Sequence, residues 1–158
     1  TIMPPWCAGS AATVGGSIFC GCGGGTTKGL RTLSLAQDAE GQGAMGIVLN
    51  APISDLNLLA VTKVVDIPVI ITVVSEETDI AARLASGASI LNVAAGPGTA
   101  ALVRKIRCDF PEVPIIASGG NTEESIQATI AAGANAITFT PPSTAELFKS
   151  MMAKYRES

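Results

Sequence analysis

Pro114-Ile115-Ile116-Ala117-Ser118-Gly119-Gly120-Asn121-Thr122-Glu123-Glu124 is followed, one helix length later, by Ala132-Gly133-Ala134-Asn135-Ala136-Ile137. The first stretch reads as a buried strand running into a small-residue turn and then a helix start. β-Branched residues fit a pleated, covered sheet, two glycines permit a tight turn, and Thr122 with Glu123 and Glu124 supplies a capping oxygen and an acidic first turn. The second stretch reads as a helix stop at Gly133 and the opening of the next strand, because glycine adopts the left-handed closing conformation at little cost. Together they outline one complete strand–helix unit and the start of another.

The same punctuation extends outward in both directions. Strands are expected at Gly46–Asn50, Pro68–Val74, Ser89–Val93, Pro114–Ser118 and Ala136–Thr140. Helix starts follow at Ser54-Asp55, Ser75-Glu76-Glu77, Pro97-Gly98-Thr99, Asn121-Thr122 and Ser143-Thr144-Ala145-Glu146, with helices of about 10 to 15 residues. Gly43, Gly87 and Gly133 close three of them. Ile47, Val69, Ile90, Ile115 and Ile137 stand 22, 21, 25 and 22 residues apart, a short and regular repeat. Near-continuous apolar strands alternating with alanine-rich helices indicate a parallel α/β sheet.

Such a sheet closes into a (β/α)8 barrel or opens into a doubly wound fold. The regular units favour the barrel, as a single domain over residues 1–158. Residues 1–45 hold the Gly/Cys-rich first units and residues 46–158 the five regular ones. A further strand at Ser17–Cys20 with a helix over Leu30–Glu40, and a weak Thr1–Met3 remnant, bring the total to six or seven units. The barrel is then incomplete in this chain. Its unpaired edges call for a homo-oligomer or a missing N-terminal segment, and the start at Thr1 rather than a methionine is read as a sign of processing or truncation.

Composition limits the chemistry. Of 158 residues 47% are apolar and 15% charged, which excludes a disordered chain. A net charge of -3 gives no positive field for coating nucleic acid or an anionic membrane, and no nucleic-acid or membrane partner is expected. No secretory signal or spanning run is recognised, so a cytoplasmic location is expected. There is no histidine, which removes Ser-His-Asp and Cys-His catalysis and histidine metal sites. Neither a metal nor a cofactor is expected. Reduced thiols are expected at Cys7, Cys20, Cys22 and Cys108.

In either parallel architecture ligands bind at the carboxyl ends of the strands. Ser118-Gly119-Gly120-Asn121 there permits close backbone approach, and the helix N-terminus behind it favours a phosphate or carboxylate. Gly119-Gly120 also suits a plain tight turn. Asn50 and Asn92 end their strands in equivalent positions, with the hydroxyls of Thr72, Thr138 and Thr140 near the same end. They form a ring of uncharged hydrogen-bonding groups, expected to face a pocket. Glu76 and Glu77 follow a strand directly. Either serves as a general acid or base if burial raises its pKa, or complements the helix opening there.

The stretches from Pro114 to Glu124 and from Ala132 to Ile137 resemble the seventh and eighth units of ribulose-phosphate-binding-type (β/α)8 barrels, a group that includes thiamine phosphate synthase and keto-deoxy-phosphogluconate aldolase. A weaker similarity to the glycerol-uptake operon antiterminators runs over residues 43–150. The resemblance implies a phosphate held between Gly119-Gly120 and the end of the following strand, where Thr140-Pro141-Pro142-Ser143 stands. The two prolines remove two amide donors there. Anion binding thus rests on Ser118, Gly119, Gly120, Asn121 and Ser143. A Schiff-base aldolase is disfavoured, because none of the five strands carries a lysine and Lys63, Lys105, Lys149 and Lys154 fall on helices.

Eleven of the 17 glycines lie at or before Gly46. Cys20-Gly21-Cys22-Gly23-Gly24-Gly25-Thr26-Thr27-Lys28 lacks nucleotide P-loop spacing, but Gly24, Gly25 and Thr26 suit an anion-binding nest. Cys20 and Cys22 are expected to face opposite ways across Gly21 and to pack as small apolar groups, or else to supply a reactive thiol. Two functions compete. One is an enzyme, of hydrolase or lyase type, acting on a small anionic metabolite through Glu76, Cys20, Cys22, Asn50 and Asn92. The other is a ligand-sensing barrel similar to the antiterminators that turns nothing over.

Overall fold

The computed structural model describes residues 18–22, 29–50, 53–120, 122–138 and 143–157. Strands and helices alternate along it: β1 (Phe19–Cys22), α1 (Leu30–Gly41), β2 (Gly46–Leu49), α2 (Asp55–Thr62), β3 (Val69–Val73), α3 (Ile80–Ala85), β4 (Ile90–Val93), α4 (Thr99–Asp109), β5 (Ile115–Ser118), α5 (Glu123–Ala131), β6 (Ala136–Thr138) and α6 (Thr144–Glu157). A 3-10 turn over Gly96–Gly98 leads into α4.

The six strands form one sheet in the order β1-β2-β3-β4-β5-β6, every pair parallel. An open doubly wound sheet reverses its winding midway; here each crossover advances the sheet by one strand in the same sense. With helices on one side only, the sheet curls about a single axis into a half-barrel. The five regular strands begin where the sequence pattern places them. So do the helix stops, since Gly43, Gly87 and Gly133 have φ of 89°, 98° and 107°.

Four expectations are corrected. Three helices fall short of the expected 10 to 15 residues: α2 has 8, α3 has 6 and α5 has 9. The first strand runs over Phe19–Cys22 rather than ending at Cys20, because its ladder to β2 continues from Phe19 opposite Gly46 to Cys22 opposite Leu49, straight through Gly21. The third helix does not start at Ser75-Glu76-Glu77. Those residues form a turn, and α3 begins at Ile80 behind Asp79, whose carboxylate accepts from the Ala82 N–H at 2.9 Å. Cys20 and Cys22 face the same way. They sit two residues apart in one continuous strand, and the strand period of two puts both into the core. The expected Thr1–Met3 strand, Ser17, Cys7, the Gly24, Gly25 and Thr26 nest, Asn121, and Thr140 to Pro142 lie outside the described residues.

Register divides the side chains between the two faces. Cys20, Cys22, Ile47, Leu49, Val69, Ile71, Val73, Leu91, Val93, Ile115 and Ala117 are buried with Ala36, Leu58, Val61, Leu102, Val103 and Ile106 from the helices, and these form the core. The residues between them, Val48, Ile70, Thr72, Ile90, Asn92, Ile116, Ser118, Ala136 and Thr138, therefore point to the concave face. Ile70 is fully buried there: the ring of Phe19 lies across Gly46, where an added Cβ would stand 2.7 Å from the Phe19 Cδ1 and 3.0 Å from the Ile70 Cδ1. Among the described residues no helix is long and apolar enough to cross a membrane.

Candidate functional site

The concave face changes character along its strands. Near the amino ends it is apolar, with Phe19, Val48, Ile70 and Ile90. One step toward the carboxyl ends the row reads Asn50, Thr72, Asn92, in which Thr72 stands opposite Asn92 in the ladder and Asn50 follows the last paired residue of β2. A polar group within a strand persists where it finds a partner or faces a pocket, and here all three are joined. The Asn92 Nδ2 donates to the Thr72 Oγ1 at 3.1 Å, and the Thr72 hydroxyl donates to the Asn50 Oδ1 at 3.4 Å. Thr72 is nearly enclosed, Asn92 half-buried and Asn50 exposed. Further toward the carboxyl ends Ser118 pairs in register with Thr138, whose hydroxyl lies 3.5 Å from the Ala117 carbonyl.

Beyond the ends of β4 and β5 a cavity of about 320 Å³ opens between the first turns of α4 and α5, lined by Gly96, Pro97, Thr99, Ser118, Gly119, Gly120, Thr122 and Ser125 among others. Among the described residues no carboxylate lines it. The start of α4 carries no side-chain cap; it continues directly from the 3-10 turn, whose Gly96 carbonyl accepts from the Thr99 N–H. The start of α5 is capped from within: Thr122 Oγ1 accepts from the Ser125 N–H at 3.2 Å, and Ser125 Oγ donates to the carbonyls of Gly119 at 2.6 Å and Thr122 at 2.8 Å. Glycine is required at this turn. A Cβ on Gly119 would lie 2.5 Å from the Ile137 Cγ2, and Gly120 has φ 76° with Ser125 Oγ 2.6 Å from its Cβ position.

The remaining candidates are dispersed. Ser143 gives both its N–H and its hydroxyl to the Glu146 carboxylate, each at 2.7 Å, which holds that carboxyl below the ordinary glutamate range. An anion at Ser143 therefore competes with a carboxylate already seated. Glu76 is exposed in the turn after β3 and receives Lys105 Nζ at 2.6 Å; that hydrogen bond keeps the lysine above its usual pKa. Cys20 and Cys22 lie on the helix side of β1, on the opposite face of the sheet from Asn92 and three strands away. The structure thus brings Asn50 and Asn92 together and gathers Ser118, Gly119 and Gly120 at one cavity, while Glu76, Cys20, Cys22 and Ser143 stand apart from both groups. Thr99 and Gly96 were not legible as site residues, since Gly96-Pro97-Gly98-Thr99 reads simply as a helix start.

No family profile matches the chain, and no curated protein sequence does. Solved structures do. A mandelate oxidase variant holding a monooxide FMN adduct superposes with a TM-score of 0.70 at 20% identity, over 82% of this chain and 50% of that one. The fold is the TIM barrel, present here over six strands. Mandelate oxidase with (S)-2-phenylpropionate gives 0.70 at 19% identity over 84% and 52% of the two chains. A Burkholderia cenocepacia structure assigned as a phosphonomutase gives 0.66 at 15% identity over 91% and 70%. The chain spans about half the length of the mandelate oxidases it matches.

Proposed function

We propose that this TIM-barrel chain belongs to an enzyme that binds a small phosphorylated or carboxylated metabolite at the carboxyl ends of its strands. The observation that carries the reading is the joined row Asn50, Thr72 and Asn92 on the helix-free face, at the end where barrels of this type bind ligands. Support for the anionic end of the ligand comes from the cavity beside Ser118, Gly119 and Gly120. Two helix starts converge on it, one of them without a side-chain cap. The reaction is of hydrolase or lyase type. Further strands, from another part of the protein or a second copy, cover the edges of β1 and β6 that no described strand pairs.

The second reading is a ligand-sensing barrel without turnover, in the manner the resemblance to the glycerol-uptake antiterminators suggests. Its support is that Glu76, the carboxylate nearest a strand end, is engaged by Lys105 rather than turned to the polar row. Backbone and side-chain amide shifts of the native chain, titrated with a panel of phosphorylated and carboxylated metabolites at millimolar concentration, test the site common to both. Shifts should cluster at Asn50, Asn92, Ser118 and Gly119 to Gly120 and weaken in an Asn50→Leu, Asn92→Leu double variant. Saturable binding that maps elsewhere, or its absence across the panel, contradicts the proposal. Turnover of the bound metabolite separates the two readings.

A further inference from the structure

The row Asn50, Thr72 and Asn92 carries information about the part of the ligand that holds no charge. Thr72 has one hydroxyl proton and two amide neighbours. It donates to the Asn50 Oδ1 and accepts from the Asn92 Nδ2, so the three dipoles run head to tail. This leaves the Asn50 Nδ2, with two N–H donors, and the Asn92 Oδ1, with its lone pairs, without a partner among the described residues. Turning both amides over reverses the run but still exposes a donor at one end and an acceptor at the other. In each arrangement where the hydroxyl both gives and receives, the two outward ends have opposite character. The strands that carry them are two spacings apart, about 10 Å at the backbone.

We infer that Thr72 couples Asn50 and Asn92 into a recognition element for an uncharged segment of the substrate that offers a hydrogen-bond acceptor at one end and a donor at the other. This rests on the reading of the concave face as the ligand site and adds the chemical class of what the row selects. No ionisable side chain belongs to the row, so a charged group placed on it loses hydration without gaining a counter-charge. A segment carrying only acceptors leaves the Asn92 end facing a like group, and one carrying only donors does the same at Asn50. Thr72 is a positioning and specificity residue, acting through the two asparagines.

Four probes of one length separate the alternatives: adipamide, with donors and acceptors at both ends; dimethyl adipate, uncharged with acceptors only; adipate, charged with acceptors only; and 1,6-diaminohexane, charged with donors only. Side-chain amide signals of Asn50 and Asn92 are followed in the 158-residue chain. Adipamide should shift both, with an affinity about tenfold or more above each of the others. Thr72→Val should bring adipamide and dimethyl adipate within about threefold of each other, and Thr72→Ser, which keeps the hydroxyl, should restore the preference. Equal shifts from dimethyl adipate and adipamide in the native chain overturn the inference, as does a row that adipamide leaves unmoved at its solubility limit. Adipate shifts confined to Gly119 and Gly120 would then leave the wider reading of the site standing.

Discussion

Asn92 donates a side-chain N–H to the hydroxyl of Thr72 at 3.1 Å, across the ladder between β4 and β3, on the face of the sheet opposite the helix-packed core. On the opposite face at the same level Val73 and Val93, also paired in register, are fully buried in the helix-packed core. One residue along the strand thus separates a dry aliphatic interior from a polar, accessible surface. That contrast is the basis for assigning the ligand-binding end of the molecule.

The turn after β5 should be intolerant of any side chain. Gly119→Ala would drive a Cβ against the Ile137 Cγ2 at 2.5 Å and the Ile126 Cγ1 at 2.9 Å, whereas a Cβ on Gly98 would meet nothing within 4 Å. Gly119→Ala is expected to cost about 1–3 kcal/mol, the range for overpacking a closed site. Gly98→Ala should be near neutral. Urea unfolding of the two variants checks this, and equal midpoints would contradict it.

Arg107 ties the amino-terminal side of the barrel together. Its guanidinium donates to the carbonyls of Gly133 at 2.8 Å, Pro111 at 2.6 Å and Val113 at 2.9 Å, and to the Asn135 Oδ1 at 2.7 Å, which in turn accepts from the Ile115 N–H at 2.9 Å. Arg107→Ala leaves the partly buried carbonyls of Gly133 and Val113 without this donor, so a loss of about 2–3 kcal/mol is expected. Lysine cannot reproduce the fork, and Arg107→Lys should recover only a minority of that loss. Full recovery by lysine would show that charge alone matters there.

The pair at the start of α6 sets a pH dependence. Both donors of Ser143 lower the Glu146 pKa in the folded chain. A carboxyl depressed by folding contributes stability that is present above its unfolded pKa, about 4.3, and is lost as pH falls through the lower folded value. Ser143→Ala should raise the Glu146 pKa, read from its side-chain carbon shifts, and flatten this acid-side fall. An unchanged titration in the variant would remove the pair from the account.

Much of this architecture was legible because strand and helix follow from period and punctuation. Ile115 to Ser118, the Thr122 cap and the Gly133 stop are local signals, and their repetition at a regular interval implies the parallel sheet. Positions governed by pairing were harder to read. Gly21 reads as an interruption on propensity, yet the ladder from Phe19 to Cys22 runs through it. Asp79 captures the start of α3 from Ser75 through a hydrogen bond that spacing alone does not rank. Of the site, Asn50 and Asn92 stood out as polar residues ending apolar strands. Their coupling through Thr72 depends on register, and the cavity shared by Thr99 and Gly119 depends on how two loops approach one another.

Paired thiol labelling along β4, in a background where Cys7 and the exposed Cys108 are replaced by serine, tests whether the concave face is the open side of the sheet. Asn92→Cys should react with a small maleimide in the native state, while Leu91→Cys, at a fully buried core position, should react only on unfolding. A ligand that shifts the Asn50 and Asn92 amides should also slow labelling of Asn92→Cys. Protection of both cysteines, or faster labelling at residue 91 than at 92, would contradict the assignment of the concave face as the open, ligand-binding side of the sheet.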